Sequence, residues 1–204
     1  MTTTVWLARH GAVHNPRELL YGRLPRIRLT AEGERQADAL AAFLERRPLA
    51  AIYSSPMLRA RKTASVILSR QPLVDRVRID SDLQEIRTGW QGEPLASLER
   101  INWDFYAHPR SDDDESLRMV HDRMQRWLGR MLRRHAGGDV LGVSHGDPIL
   151  ILIGALRGLP LDASIFPSPY IEPATVYRMR FDAAGVCRDV NMFVPHALDS
   201  ESAA

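Results

Sequence analysis

The sequence predicts an α/β fold: a three-layer sandwich with a mainly parallel central sheet flanked by helices, and a β-hairpin near the C-terminus. Three observations predict it. Short apolar runs alternate with segments of helical period, two of those runs empty into a His-Gly turn, and two strand-like stretches flank Asp182-Ala183-Ala184-Gly185. At 204 residues, 45% of them apolar and 25% charged, the chain can bury roughly 70% of the surface its unfolded form exposes. One domain over 1–204 is expected, with an irregular region at about 81–115 and a short tail from about 199 to 204.

Val5-Trp6-Leu7-Ala8 reads as a buried strand emptying into Arg9-His10-Gly11. Thr30 is a suitable N-cap, and Glu32 and Glu34 suit the positive end of a helix dipole. Ala37, Leu40, Ala41 and Leu44 then keep one apolar face until Pro48 forbids continuation. Ala51-Ile52-Tyr53 is a second strand, about 57–69 a second helix with Ala60, Ala64 and Ile67 on one face, and Val77-Arg78-Ile79 a third strand. From Ser81 to Glu115 no strong period appears, apart from a short helix expected around 95–106. A segment this long without regular elements usually serves binding. Asp112-Asp113-Asp114-Glu115 is read as the acidic first turn of a helix over 116–134, whose apolar stripe is Val120, Met124, Trp127, Leu128 and Met131. Gly137-Gly138 ends it. Val140-Leu141-Gly142-Val143 is a fourth buried strand; it delivers Ser144-His145-Gly146, after which Pro148 opens a helix through Leu156. The hairpin pairs Thr175–Phe181 with Val186–Phe193.

Composition narrows the function. There are 27 basic and 25 acidic residues, a net charge of +2. That near-balance argues against general nucleic-acid binding, which needs clustered positive charge. Lys62 is the sole lysine, and arginine grips phosphate and carboxylate with a planar fork that lysine lacks. The single cysteine, Cys187, excludes an intrachain disulfide and a Cys-rich zinc site, and is expected as a small buried side chain. The N-terminus shows no secretory pattern, and the apolar run from Ile149 is far too short to span a bilayer. A cytoplasmic protein is expected, with neither nucleic acid nor membrane as partner.

His10-Gly11 and His145-Gly146 each follow a predicted parallel strand. The carboxyl ends of such strands share the edge where ligands bind, so both histidines are expected in one pocket. Glycine after each lets backbone approach a ligand without a Cβ in the way. His10 and His14 are spaced i, i+4, but no glutamate completes a zincin-like pattern, and P-loop and dinucleotide fingerprints are absent after the first strand.

With Leu7-Ala8-Arg9-His10-Gly11 and Asn15, the chain resembles the histidine phosphatase superfamily, also called phosphoglycerate-mutase-like. The same order of blocks continues in Tyr21-Gly22, Leu29-Thr30 with Gly33 and Gln36-Ala37, and Ser54-Ser55-Pro56-Met57-Leu58-Arg59-Ala60. Leu83 and Glu85 with Gly89 and Gly92 follow, then Val143-Ser144-His145-Gly146. The resemblance implies His10 as the nucleophile that becomes phosphohistidine and Glu85 as the proton donor. It implies Arg9, Arg59 and His145 on the phosphate oxygens with Asn15 as a further donor beside them, and Gly11, Gly22 and Gly146 as substrate-binding positions. Ala12-Val13 stand where many members carry Glu-Thr or Glu-Ser, and the loop Gly89-Trp90-Gln91-Gly92 is one residue shorter than usual.

The chemistry asks for the same residue types. Charge persists on the equatorial oxygens of a transferring phosphoryl group, and two guanidinium forks with an imidazole compensate it without a metal or cofactor. Neutral imidazole offers a lone pair near pH 7. An alkoxide leaves poorly, so a positioned acid is worth roughly 10²–10⁴ in rate. The resemblance thus implies a metal-independent phosphatase of a small phosphorylated metabolite. A phosphoglycerate mutase and a non-catalytic phosphate-binding module are the alternatives; the natural substrate is not specified, and a homodimer is left open.

Overall fold

Neighbouring side chains of Val5-Trp6-Leu7-Ala8 point to opposite faces of the first strand, and both faces are covered. Val5 and Leu7 join one apolar cluster, Trp6 and Ala8 the other, which is why the run is continuous rather than alternating. The computed structural model describes residues 1–197, so the tail expected from about 199 lies outside the described residues.

The strands are β1 (Thr3–Arg9), β2 (Leu49–Ser54), β3 (Val77–Ile79), β4 (Asp139–Ser144), β5 (Val176–Phe181) and β6 (Cys187–Phe193). They form one sheet in the order β3-β2-β4-β1-β5-β6. β3, β2, β4 and β1 are parallel; β5 runs antiparallel to β1 and closes a hairpin with β6. The predicted sandwich, parallel core and hairpin are all present. β1 begins two residues earlier than the apolar run, and the Thr3 hydroxyl accepts the Gly137 N–H there.

Helices α1 (Ala31–Glu45) and α2 (Leu58–Leu68) cover one face through Leu40, Ala41, Leu44, Ala60, Ala64 and Ile67. Thr30 caps α1, its hydroxyl accepting the Gly33 N–H at 2.9 Å. The short helix α3 (Leu95–Leu98) continues only as a 3₁₀ turn over Glu99–Ile101, so the helix expected over 95–106 stops early. Asn102 and Trp103, both with positive φ, end it. On the other face lie α4 (Leu117–Arg134) and α5 (Gly146–Leu156), with Trp127 fully buried against the sheet. A Cβ on Gly142 of β4 would strike the Trp127 ring, so that glycine is what lets α4 approach. Cys187 is half-buried rather than buried. No helix of the described residues is long and apolar enough to cross a membrane.

Candidate active site

β1 and β4 are parallel neighbours with Arg9 opposite Ser144. The next residue of each is a histidine, so register alone brings His10 and His145 to one sheet edge, their ring centroids 5.2 Å apart. Both are buried. β2 flanks β4 on its far side, and the Ser55 hydroxyl just past β2 bonds His145 Nε2 at 2.8 Å.

The hydrogen bonds of His10 fix its tautomer. Nδ1 lies 2.7 Å from the Gly11 carbonyl, which can only accept, so Nδ1 carries the proton and Nε2 the lone pair. Arg59 Nε–H donates to that Nε2 at 3.1 Å. Burial first, then the Arg59 and Arg9 charges, hold His10 well below the usual imidazole pKa, so it is neutral at neutral pH. Burial and the same kind of cationic surroundings depress His145 likewise. Its Nδ1 is buried, has no hydrogen-bond partner, and sits 3.7 Å from Glu85 Oε2.

Arg59 occupies the first turn of α2, a position where a cation opposes the helix dipole, so the helix does not ask for it there. The side chain is 1% exposed. It donates to the Gly22 carbonyl at 2.7 Å, lies 4.0 Å from Glu85, and stacks on Tyr21 at 4.8 Å. Arg9 donates to the Ile171 carbonyl and lies over the Tyr170 ring, while its Nε is buried without a partner. Buried polar atoms are almost always satisfied, and this cluster leaves two of them, Arg9 Nε and His145 Nδ1, without a partner.

Glu85 accepts the Ile86 N–H at 3.0 Å. Burial chiefly, with the nearby Asp147 charge, pushes its carboxyl up to about 7 against the pull of Arg59. The clamp beneath it was not legible in the sequence. Arg23 donates to the Glu85 carbonyl at 2.7 Å, and Arg123 to the carbonyls of Asp82 and Gln84 at 2.6 and 2.8 Å. Both arginines are held by the carboxylate of Glu115, at 2.8 and 3.0 Å. Asp114 accepts the N–H groups of Gly89 and Arg110. The acidic run is thus not the first turn of α4, which Ser116 caps; its last two members order the loop that carries Glu85. Replacing Glu115 by Ala leaves two largely buried guanidinium groups unpaired, at a cost of about 3 kcal/mol. A fall in melting temperature of roughly 10 °C is expected, with a loss of turnover as Glu85 drifts. Unchanged melting would count against the clamp.

Other candidates lie differently from expectation. Asn15 spends its side-chain amide on the Leu19 backbone at 2.9 and 3.1 Å, shaping its own loop. Gly22 serves through its carbonyl, by holding Arg59. Gly11 and Gly146 also have a packing reason to be glycine: a Cβ on Gly11 would strike the Gly33 carbonyl, and one on Gly146 the Tyr170 hydroxyl. Arg23 and Tyr106 reach the Glu85 and Asp147 side. Arg26 and Arg28 instead line a cavity of about 350 Å³ with His14 and the start of α1.

Comparison with known proteins agrees with this geometry. The profile of the histidine phosphatase superfamily (branch 1) matches residues 5–191. The chain is similar to the uncharacterized protein Rv0525 of Mycobacterium tuberculosis, at 35% identity over 76% of this chain and 79% of that one. It is 28% identical to the adenosylcobalamin/alpha-ribazole phosphatase of Escherichia coli, over 78% and 81% of the two chains. The solved structure of Bacillus stearothermophilus YhfR superposes with a TM-score of 0.80 at 28% identity, over 91% and 94%. Relatives carry the names of phosphatases and of a probable phosphoglycerate mutase. With the profile matching nearly the whole described chain, the chain belongs to the histidine phosphatase superfamily.

Proposed function

We propose that the chain is a metal-independent phosphatase that hydrolyses a small phosphomonoester through a phosphohistidine on His10. The observation that carries this reading is the state of His10: neutral, buried, its proton committed to Gly11 and its Nε2 lone pair facing buried cations.

The phosphoryl oxygens take the place prepared by Arg9 Nε and His145 Nδ1, and Arg59 moves its Nε–H from the imidazole to a phosphate oxygen. Ser55, which accepts the Met57 N–H, donates to His145 Nε2 and so leaves a proton on Nδ1 for the phosphate. His10 Nε2 then forms a bond to phosphorus as the ester P–O bond breaks, and Glu85 gives its proton to the leaving oxygen. In the second half Glu85, now a carboxylate, accepts a proton from water as the water oxygen bonds to phosphorus. The P–N bond breaks, regenerating His10 and releasing inorganic phosphate. Asn15 shapes the rim, while Gly11 and Gly146 set the two imidazoles on their elements.

The test is alkali-quenched labelling with a ³²P-phosphomonoester alongside product analysis. Acid-labile, base-stable label on His10 with release of inorganic phosphate is expected. Isomerised 3-phosphoglycerate with little phosphate released would make the chain a mutase, and phosphate binding without turnover a binding module.

A further inference from the structure

Asp147 lies in the first turn of α5, where a carboxylate ordinarily suits the helix dipole or caps backbone N–H groups. Here it makes no such cap. Both its oxygens accept from phenols instead: Tyr106, which reaches Oδ2 at 2.8 Å from the 81–115 region, and Tyr170, which reaches Oδ1 from the loop before β5. Tyr106 is locked by stacking on Phe166, with ring centroids 5.8 Å apart and planes 7° apart. Tyr170 sits against Gly146 and under Arg9, so the cluster borders the phosphate place on the flank of Glu85.

We propose that Asp147, held between Tyr106 and Tyr170, selects the leaving part of the substrate, favouring phosphomonoesters of hydroxylated alcohols and rejecting those with a carboxylate. The proposal rests on the phosphatase reading above. Glu85 must touch the leaving oxygen, so the rest of the leaving group extends along its flank. Both phenol protons are given to Asp147, which leaves the phenol oxygens only lone pairs to offer. A hydroxyl or ammonium donor is matched there; a carboxylate meets a fixed negative charge and no donor. The cations nearest the cluster are committed. Arg9 and Arg59 are neutralised by the phosphate, and Arg23 and Arg123 are spent on Glu115 and the backbone around Glu85. Burial raises the Asp147 carboxyl, while the two phenol hydrogen bonds and the Arg9 charge hold it down, and its own charge raises Glu85, so these groups share one field.

The test uses a matched pair, glycerol 3-phosphate and 3-phosphoglycerate, which differ by a hydroxymethyl group in place of a carboxylate. The wild-type kcat/KM should favour glycerol 3-phosphate by about tenfold or more, and Asp147→Asn should narrow that ratio by about tenfold. Any general loss, including a change in Glu85, cancels in the ratio. Tyr106→Phe, which keeps the charge but removes one phenol acceptor, should narrow the ratio less than Asp147→Asn does; an equal or greater narrowing would overturn the charge as the cause. If neither ester turns over, the same ratio is read from their inhibition of p-nitrophenyl phosphate hydrolysis. Equal treatment of the two esters by the wild type, or an equal loss on both in Asp147→Asn, overturns the proposal. Failure of the wild type to hydrolyse p-nitrophenyl phosphate would instead overturn the phosphatase reading.

Discussion

Replacing His10 by Ala is expected to lower hydrolysis of p-nitrophenyl phosphate by about 10⁴-fold or more, the scale on which removal of a covalent nucleophile acts. p-Nitrophenolate leaves without help from an acid, so the missing attacking nitrogen is the whole defect. The substitution keeps Arg9, Arg59 and His145, and binding of inorganic phosphate should survive within about tenfold. Arg59 loses its bond to Nε2 but keeps the Gly22 carbonyl and the Glu85 charge, so the fold should hold. Turnover is checked by nitrophenolate release, binding by calorimetry, and folding by circular dichroism. Retained turnover in a folded protein would place the nucleophile elsewhere. Lost binding together with lost turnover would mean that His10 organises the anion site rather than attacks.

The sequence discloses the fold where the signal is local. Val5–Ala8 and Val140–Val143 are apolar on both faces because helices cover both, and that burial is written into the run itself. A histidine placed at the end of each such strand is equally local, which is why His10 and His145 were legible as partners. The order β3-β2-β4-β1-β5-β6 is not, since pairing β1 with β5 depends on contacts more than 160 residues apart in sequence. Glu115 shows the same limit. Its acidic run reads naturally as a helix start, yet its partners Arg23 and Arg123 lie 92 and 8 residues away, and the 92-residue link leaves no periodic trace. The glycines illustrate a subtler limit. Gly11 and Gly146 are where a ligand-binding turn would have them, but the atoms that forbid a Cβ belong to Gly33 and Tyr170, which only the folded chain brings near.

Glu85 is the residue whose proposed role is most sharply separable by leaving group. With Glu85→Gln, kcat/KM for an alkyl phosphate is expected to fall by roughly 10²–10⁴, because the alkoxide then departs unprotonated. For p-nitrophenyl phosphate kcat/KM should fall far less, since it reports only the steps through departure of the first product. Its kcat should still fall, because the same side chain takes the proton from water in the second half. Phosphohistidine then accumulates, and one nitrophenolate per active site should appear as a burst. The pH dependence follows from burial. The carboxyl is pushed up to about 7, so the acid form dominates below that pH and is lost above it. In the wild type kcat/KM for an alkyl phosphate should therefore decline as pH rises through about 7, and the decline should be missing in Glu85→Gln. Stability has the same sign: a folded-state pKa above the unfolded one makes the contribution of Glu85 greatest at low pH and lost as pH rises towards 7. Glu85→Gln should thus be relatively more stable than the wild type above pH 7 than at pH 5. An alkaline limb that survives the substitution would assign the titrating acid to another group.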